Sequence, residues 1–212
     1  MRSIIFSDLH GNLPALVKLR EKFPDCDSWI SLGDNVNYGP WSNECVIFIK
    51  EELSCKSLLG NHEEYFLTGI YPGKNIVAKE FFKFCYPFFE EKKIIKKYLD
   101  SLQLGSFFLS HTINGKYIFS DTDISVAGNH VVGHSHQQYT RKVSKHSIIN
   151  PGSLGQDRQY INRGNYAVYD HDTDSFALNS FTYNVDIVIS EMKSKKYPQI
   201  CIDYYHQKER LS

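Results

Sequence analysis

The chain has 212 residues, 42% of them hydrophobic, enough to bury a sizeable core in one domain, which excludes intrinsic disorder and a cross-linked mini-protein scaffold. Lys plus Arg number 24 and Asp plus Glu number 24, so no global basic field exists to hold a polyanion and any phosphate binding must be local. The five cysteines are scattered and never form a C-x-x-C pair, which argues against a disulfide framework or a thiolate zinc site; with no apolar run approaching about 18 residues, the expected setting is a soluble chain in the reducing cytoplasm.

Taken in chain order, short strands bounded mostly by Gly, Asn, Asp or Ser are predicted at residues 2–7, 28–32, 55–59, 106–110, 117–120, 130–133, 147–150, 166–169 and 176–181. Helical patterns separate the early ones. Asn12 is placed to cap a helix carrying Leu16, Val17 and Leu19, and Ser42 to cap another carrying Val46, Ile47, Ile49 and Leu53. This alternation implies a parallel sheet near the start of the chain, and the strand-rich later half implies an antiparallel element.

Residues 63–104 stand apart, holding Phe81, Phe82, Phe84, Tyr86, Phe88 and Phe89 and then the run Lys92-Lys93-Ile94-Ile95-Lys96-Lys97. They read as a helical insertion within a single domain over 1–212, its aromatic face packed and its lysines in solvent. Glu80, Glu90, Glu91 and Asp100 offset those lysines and weigh against a nucleic-acid surface. The segment 191–212, with Lys193, Lys195, Lys196, Tyr197, Tyr204 and Tyr205, reads as a packed terminal strand or a partner segment.

The informative pattern is the placing of acidic, imidazole and amide side chains at predicted strand ends: Asp8-Leu9-His10-Gly11-Asn12, Gly33-Asp34-Asn35, Gly60-Asn61-His62-Glu63, Ser110-His111 and Gly133-His134-Ser135-His136. Carboxyl ends of strands in open α/β sheets line one crevice, where groups distant in sequence converge. Residues two apart on an extended strand share a face, which would pair Asp8 with His10 and His134 with His136. Glycines before Asp34, Asn61 and His134 allow close backbone approach. Carboxylate, imidazole and amide oxygen together suit a divalent ion such as Mn²⁺, Fe²⁺ or Zn²⁺. A lone Asp-x-His is more often a capped turn and a lone histidine more often a core residue, but five such pieces in this order outweigh those readings. His130, His146, His171 and His206 lack such company.

These motifs, with Gly33-Asp34-Asn35-Val36-Asn37-Tyr38-Gly39-Pro40 and Asn150-Pro151-Gly152-Ser153-Leu154-Gly155, resemble calcineurin-like metallophosphoesterases, specifically their small stand-alone bacterial and archaeal phosphodiesterase branch. The resemblance implies an α/β (α+β) four-layer αββα sandwich of two mixed β-sheets flanked by helices. It implies two divalent ions, Mn²⁺ first and Fe²⁺, Zn²⁺ or Ni²⁺ as alternatives. One would be held by Asp8, His10, Asp34 and His136, the other by Asp34, Asn61, His111 and His134. A shared carboxylate makes physical sense, because dications roughly 3.5–4 Å apart repel unless an anion lies between them. A bridging hydroxide would attack phosphorus in line, with His62 as the acid that protonates the leaving oxygen.

The implied substrate is a small phosphodiester. A phosphomonoesterase acting on phosphoproteins or nucleotides is the alternative, and a non-catalytic interaction scaffold is a third reading. Glu63 stands where the branch more often has Asp, which leaves substrate class open, and Thr112 replaces the usual Gly after His111. The segment Thr112-Ile113-Asn114-Gly115 is short and poor in lysine. Arg158 is the candidate phosphate clamp, with Arg163 and Arg141 as alternatives. Asn150-Pro151-Gly152-Ser153 reads as a turn buttressing the histidine motif. Neither a membrane nor an extended nucleic-acid groove is expected, while a protein partner or homo-oligomer is left open.

Overall fold

Ile4 and Phe6 alternate with Ile5 along strand β1 (Arg2–Phe6), so one strand feeds two apolar cores. The structure, a computed structural model describing residues 1–26 and 28–212, is organised around it. β1 runs parallel to β2 (Trp29–Ser31), which runs parallel to β3 (Lys56–Ser57). On its other side β1 is antiparallel to β9 (Arg163–Asp170), which carries the edge strand β10 (Ser175–Thr182). The second sheet has the order β4 (Ser101–Leu104), β5 (Phe107–Ser110), β6 (Asn129–Val131), β8 (His146–Pro151), β7 (Gln138–Val143), its three central strands parallel and both edges antiparallel.

Ile5, Ile30, Leu32 and Leu58 of the first sheet meet Phe107, Leu109, Val131 and Ile149 of the second. On the opposite face of the first sheet, Ile4, Phe6 and Trp29 join the largest core with the buried faces of α1 (Leu13–Lys22), α2 (Ser42–Glu51), α3 (Asn61–Thr68), α4 (Ile76–Cys85), α5 (Lys92–Ile95), α6 (Val185–Ser194) and α7 (Gln199–His206). A smaller cluster of Ile118, Val132, Tyr139 and Ile148 completes the packing. Two mixed five-stranded sheets flanked by helices are thus what the chain forms, as expected. No helix among the described residues is long and apolar enough to cross a membrane.

Capping explains the start of α1, where Asn12 Oδ1 accepts the Ala15 N–H at 3.3 Å. Ser42 does not cap α2. It is the first helical residue, and its hydroxyl accepts the Asn37 N–H at 3.0 Å, tying the helix to the loop before it. In the 63–104 region the helices are followed by strand β4, and Phe81, Phe82 and Phe89 are buried in the main core while Phe88 is exposed.

Two expectations need correction, and two strands, β4 and β7, were not expected. Residues 117–120 form no strand: the Ile118 carbonyl accepts from the Tyr139 hydroxyl at 2.8 Å and the Ser120 carbonyl from Arg141 at 2.8 Å, so side chains take the groups a ladder would need. β7 escaped notice because Gln138-Tyr-Thr-Arg-Lys-Val143 is a polar edge strand with Tyr139 its one buried residue. The segment 191–212 is no terminal strand. It ends α6 and forms α7, burying Met192, Tyr197, Cys201 and Tyr205.

Ile5 sits where the two sheets meet with no exposed surface. Ile5→Ala should lower unfolding free energy by about 2–5 kcal/mol in a denaturant titration, whereas Ile187→Ala, at a half-exposed position of α6, should cost less than about 0.5 kcal/mol.

Candidate metal centre

The motif loops leave the carboxyl ends of β1, β2, β3, β5 and β6, and several turn through left-handed backbone. φ is 53° at Asp8, 51° at His10, 57° at Asp34, 64° at His134 and 59° at His136. This region costs a side-chain-bearing residue of order 1–3 kcal/mol and persists only where the surroundings enforce it. The expectation that alternation along an extended strand pairs Asp8 with His10 is therefore corrected. β1 ends at Phe6 and β6 at Val131, and strained turns aim these side chains. Gly33, at φ 104°, is needed for a second reason: a Cβ there would lie 2.6 Å from the Gly60 nitrogen, where the loops after β2 and β3 touch.

The turns gather donors into overlapping groups. Ligand atoms of Asp8, His10 and His136 lie within 4.8 Å of one another, as do those of His10, Asp34 and His62 and those of Asp34, His111 and His134. Asn61 joins the last group, its Oδ1 lying 3.2 Å from His111 Nε2, which is also 3.2 Å from Asp34 Oδ2. All seven expected ligands are thus brought together, with Asp34 in two groups. Thr112 does not displace its neighbour His111.

The chemistry of this donor set fits a cation. His10, His111 and His136 each direct Nδ1 to a backbone carbonyl, of Val36 at 3.1 Å, Leu32 at 2.9 Å and Gln156 at 2.6 Å respectively. A carbonyl only accepts, so Nδ1 carries a proton in each ring and Nε2 is the nitrogen left facing the cluster, the atom through which a histidine held in this way can ligate a metal. Yet His10 Nε2 and His136 Nε2 face each other at 3.2 Å, and Asp8 Oδ1, 3.3 Å from His136 Nε2, is buried without a hydrogen-bond partner. Lone pairs converging in a buried site are stabilised by a positive ion among them.

Protonation follows the same geometry. Burial would raise Asp8 and Asp34, but the neighbouring imidazoles, His136 for Asp8 and His111 for Asp34, hold both well below the usual carboxylate range. Burial works against charge on His111, and Asp34 overrides it, lifting His111 to about 10. His10 is pushed down by burial and by His62, and His134 by burial and by His111 to about 4.

His62 lies beside this cluster, its ring centroid 4.9 Å from that of His10 and 5.5 Å from that of Tyr38. Its backbone N–H donates to Asp34 Oδ1 at 2.8 Å, and the Asn37 amide is 3.0 Å from its Nδ1. Burial is the main force lowering its pKa. Asp34, His62, His111, His134 and His136 line one cavity, and Arg158 borders it, held by its Nε–H to the Ser135 carbonyl at 3.0 Å. The alternatives are engaged elsewhere: Arg163 is bound to both oxygens of Asp157 at 3.0 Å, and Arg141 to the carbonyls of Ser120 and Thr122.

Glu63 is fully buried and turned from the cavity. Its carboxylate accepts the N–H groups of Asp34 at 2.8 Å, Asn35 at 2.6 Å and Gly60 at 3.0 Å, clamping the two loops that deliver Asp34 and Asn61. Glu63 therefore acts on the backbone of the loops that carry the candidate ligands. Burial, then Asp34, pushes it up to about 7, opposed by the N–H groups of Asn35 and Asp34. Asn150 donates to the Gly133 carbonyl at 2.8 Å, and the Ser153 hydroxyl donates to the Asp8 carbonyl at 2.7 Å, so the Asn-Pro-Gly-Ser turn supports both histidine-bearing loops. Sequence reasoning missed Asn37 and Gln156. Asn37 lies inside a quoted motif, whereas Gln156 acts through its backbone and carries no side-chain signal.

Fold and site together define a two-sheet α/β sandwich with a candidate metal centre at its strand ends. The chain belongs to the calcineurin-like phosphoesterase family, whose sequence pattern matches residues 1–202. It is 28% identical to an uncharacterized protein of Methanocaldococcus jannaschii, over 92% of this chain and 93% of that one. In structure it is similar to a metallophosphoesterase from Sphaerobacter thermophilus, at 23% identity and TM-score 0.78 over 97% of this chain and 98% of the other. It is also similar to a hypothetical protein of Pyrococcus horikoshii, at 13% identity and TM-score 0.79 over 99% of both chains. At these identities the structures bear on the fold alone.

Glu63→Ala would strand three buried N–H groups. At about 1–3 kcal/mol for each unsatisfied donor, the variant should lose several kcal/mol in a denaturant titration and bind Mn²⁺ more weakly in equilibrium dialysis.

Proposed function

We propose that the protein hydrolyses small phosphodiesters at a centre of two divalent ions, Mn²⁺ by preference, with Fe²⁺, Zn²⁺ or Ni²⁺ satisfying the same donors. Asp8, His10, Asp34 and His136 hold one ion, and Asp34, Asn61, His111 and His134 the other. The observation that carries the reading is the buried convergence of imidazole Nε2 atoms and carboxylate oxygens, with Asp8 Oδ1 unpartnered. Divalent ions held there supply an activated water at neutral pH and neutralise charge on the phosphoryl oxygens.

The chain's own residues supply the rest. His62 holds the proton delivered to the leaving oxygen, and Asn37 fixes its ring from behind. With the Asn37 amide donating to Nδ1, the neutral His62 carries its proton on Nε2, and in the charged form a half-turn of that amide would bring its otherwise unpartnered Oδ1 to accept from Nδ1–H. Arg158, at the edge of the same cavity, orients the phosphoryl oxygens with its forked donors. The cavity of about 690 Å³ leaves room for a second ester substituent, which supports a diester over a monoester. The balanced charge of 24 basic and 24 acidic residues supports a small substrate over a polymer. The five free cysteines, three of them buried, support a cytoplasmic setting.

The test is Mn²⁺-supplemented hydrolysis of bis-p-nitrophenyl phosphate against p-nitrophenyl phosphate, with metal content determined for wild type and His62→Ala. Wild type should prefer the diester. His62→Ala should keep its metals yet lose about 10²–10⁴-fold in rate on a diester with an alkoxide leaving group, and less on the p-nitrophenyl ester, whose leaving group needs no proton. A clear preference for the monoester contradicts the diesterase reading, and a metal-loaded protein inert on both esters favours the scaffold.

A further inference from the structure

The walls of the catalytic cavity are richer in aromatic rings than a phosphoryl group requires. Tyr65 lies one helical turn beyond Asn61 on α3 and so shares its face. α3 stops at Gly69, whose left-handed φ of 77° turns the chain back so that Tyr71 meets Tyr65 edge to face, ring centroids 5.4 Å apart at 81°. Tyr117 comes from the non-strand segment after β5, 51% exposed, its ring stacked on that of His134 with centroids 3.7 Å apart. These three rings line one cavity with Asp34, His62 and Arg158. Inorganic phosphate or a short alkyl ester would occupy a fraction of its roughly 690 Å³ and leave the rings wet.

On the reading that this cavity hydrolyses phosphoesters, we propose that the substrate is a nucleotide phosphodiester, its phosphoryl group at the acidic and imidazole cluster beside Arg158 and its base seated on the tyrosine wall of Tyr65, Tyr71 and Tyr117. Stacking on aromatic side chains suits a nucleobase because every base has a π-face, and one such contact is worth roughly tenfold to a hundredfold in affinity. Glu64, exposed at the same cavity, offers an acceptor to an exocyclic amine and puts negative charge in the lining, which repels the additional phosphates of a strand. The site therefore takes a mononucleotide or dinucleotide ester and not a strand. The tyrosines act in selecting the substrate, since they carry none of the chemistry assigned to His62 and the carboxylates.

The test is calorimetric binding of AMP and of ribose 5-phosphate to the Mn²⁺-loaded protein, which share a phosphate and a sugar and differ in the base. AMP should bind at least about tenfold tighter. Tyr117→Leu should reduce that ratio severalfold and Tyr117→Phe restore it, and the same order should appear in KM more than in kcat for a nucleotide diester measured against an alkyl diester. Equal affinity for the two ligands overturns the proposal, whatever hydrolysis is found. A tenfold preference for AMP in a protein that hydrolyses no phosphoester supports base recognition while removing the hydrolase reading, so the two failures are distinguishable.

Discussion

Two fully buried carboxylates, Asp8 and Asp34, are the constraint around which the rest of the structure is arranged. An ionised carboxylate in the interior is costly unless hydrogen bonds and opposite charge surround it. Asp34 accepts the His62 N–H at 2.8 Å and lies 3.2 Å from His111, while Asp8 accepts the His134 N–H at 3.0 Å and lies 3.3 Å from His136. These contacts link residues up to 128 positions apart, the separation of Asp8 and His136, and so bind the first sheet's loops to the second's. What they leave incomplete is equally informative, because Asp8 Oδ1 has no hydrogen-bond partner within the protein and His10 Nε2 and His136 Nε2 are brought face to face at 3.2 Å. The site is built for a partner of positive charge.

That demand accounts for the local backbone. Five of the seven candidate ligands sit at positive φ, a conformation each would avoid in a free peptide. Strain of this kind needs anchorage, and the structure provides it away from the cavity. Glu63 clamps the β2 and β3 loops through three backbone N–H groups, and Asn150 and Ser153 hold the loops bearing His134 and Asp8. The Nδ1 contacts of His10, His111 and His136 fix which nitrogen is free. The two sheets, sealed by Ile5, Leu32, Leu109 and Val131, make a rigid base from which the strained turns project.

The cluster of candidate ligands was legible because metal chemistry restricts residue types, and Asp, His and Asn at successive strand ends have few other reasons to recur. The geometric reason was misread, since alternation in an extended strand does not operate past Phe6 and left-handed turns carry no periodic signal. Helix α1 could be read from the Asn12 cap, and β1 from its apolar run. The strand at 117–120 was a false positive because Tyr-Ile-Phe-Ser alternates like a strand while its carbonyls bond side chains of β7. α7 was missed because Tyr204 and Tyr205 carry strand propensity, and tertiary burial of Cys201 and Tyr205 overrides it. The tyrosine wall was invisible in sequence, since Tyr65, Tyr71 and Tyr117 belong to no motif and meet only in the fold.

The central proposal is that Asp34 would join two ions in one centre. Electron paramagnetic resonance of the Mn²⁺-loaded protein, with the bound metal counted, tests it most directly. The account predicts two Mn²⁺ per chain with the exchange-coupled spectrum of a pair sharing a bridge, and loss of the coupling in Asp34→Asn. One ion per chain, or two with the spectrum of isolated Mn²⁺, would contradict it.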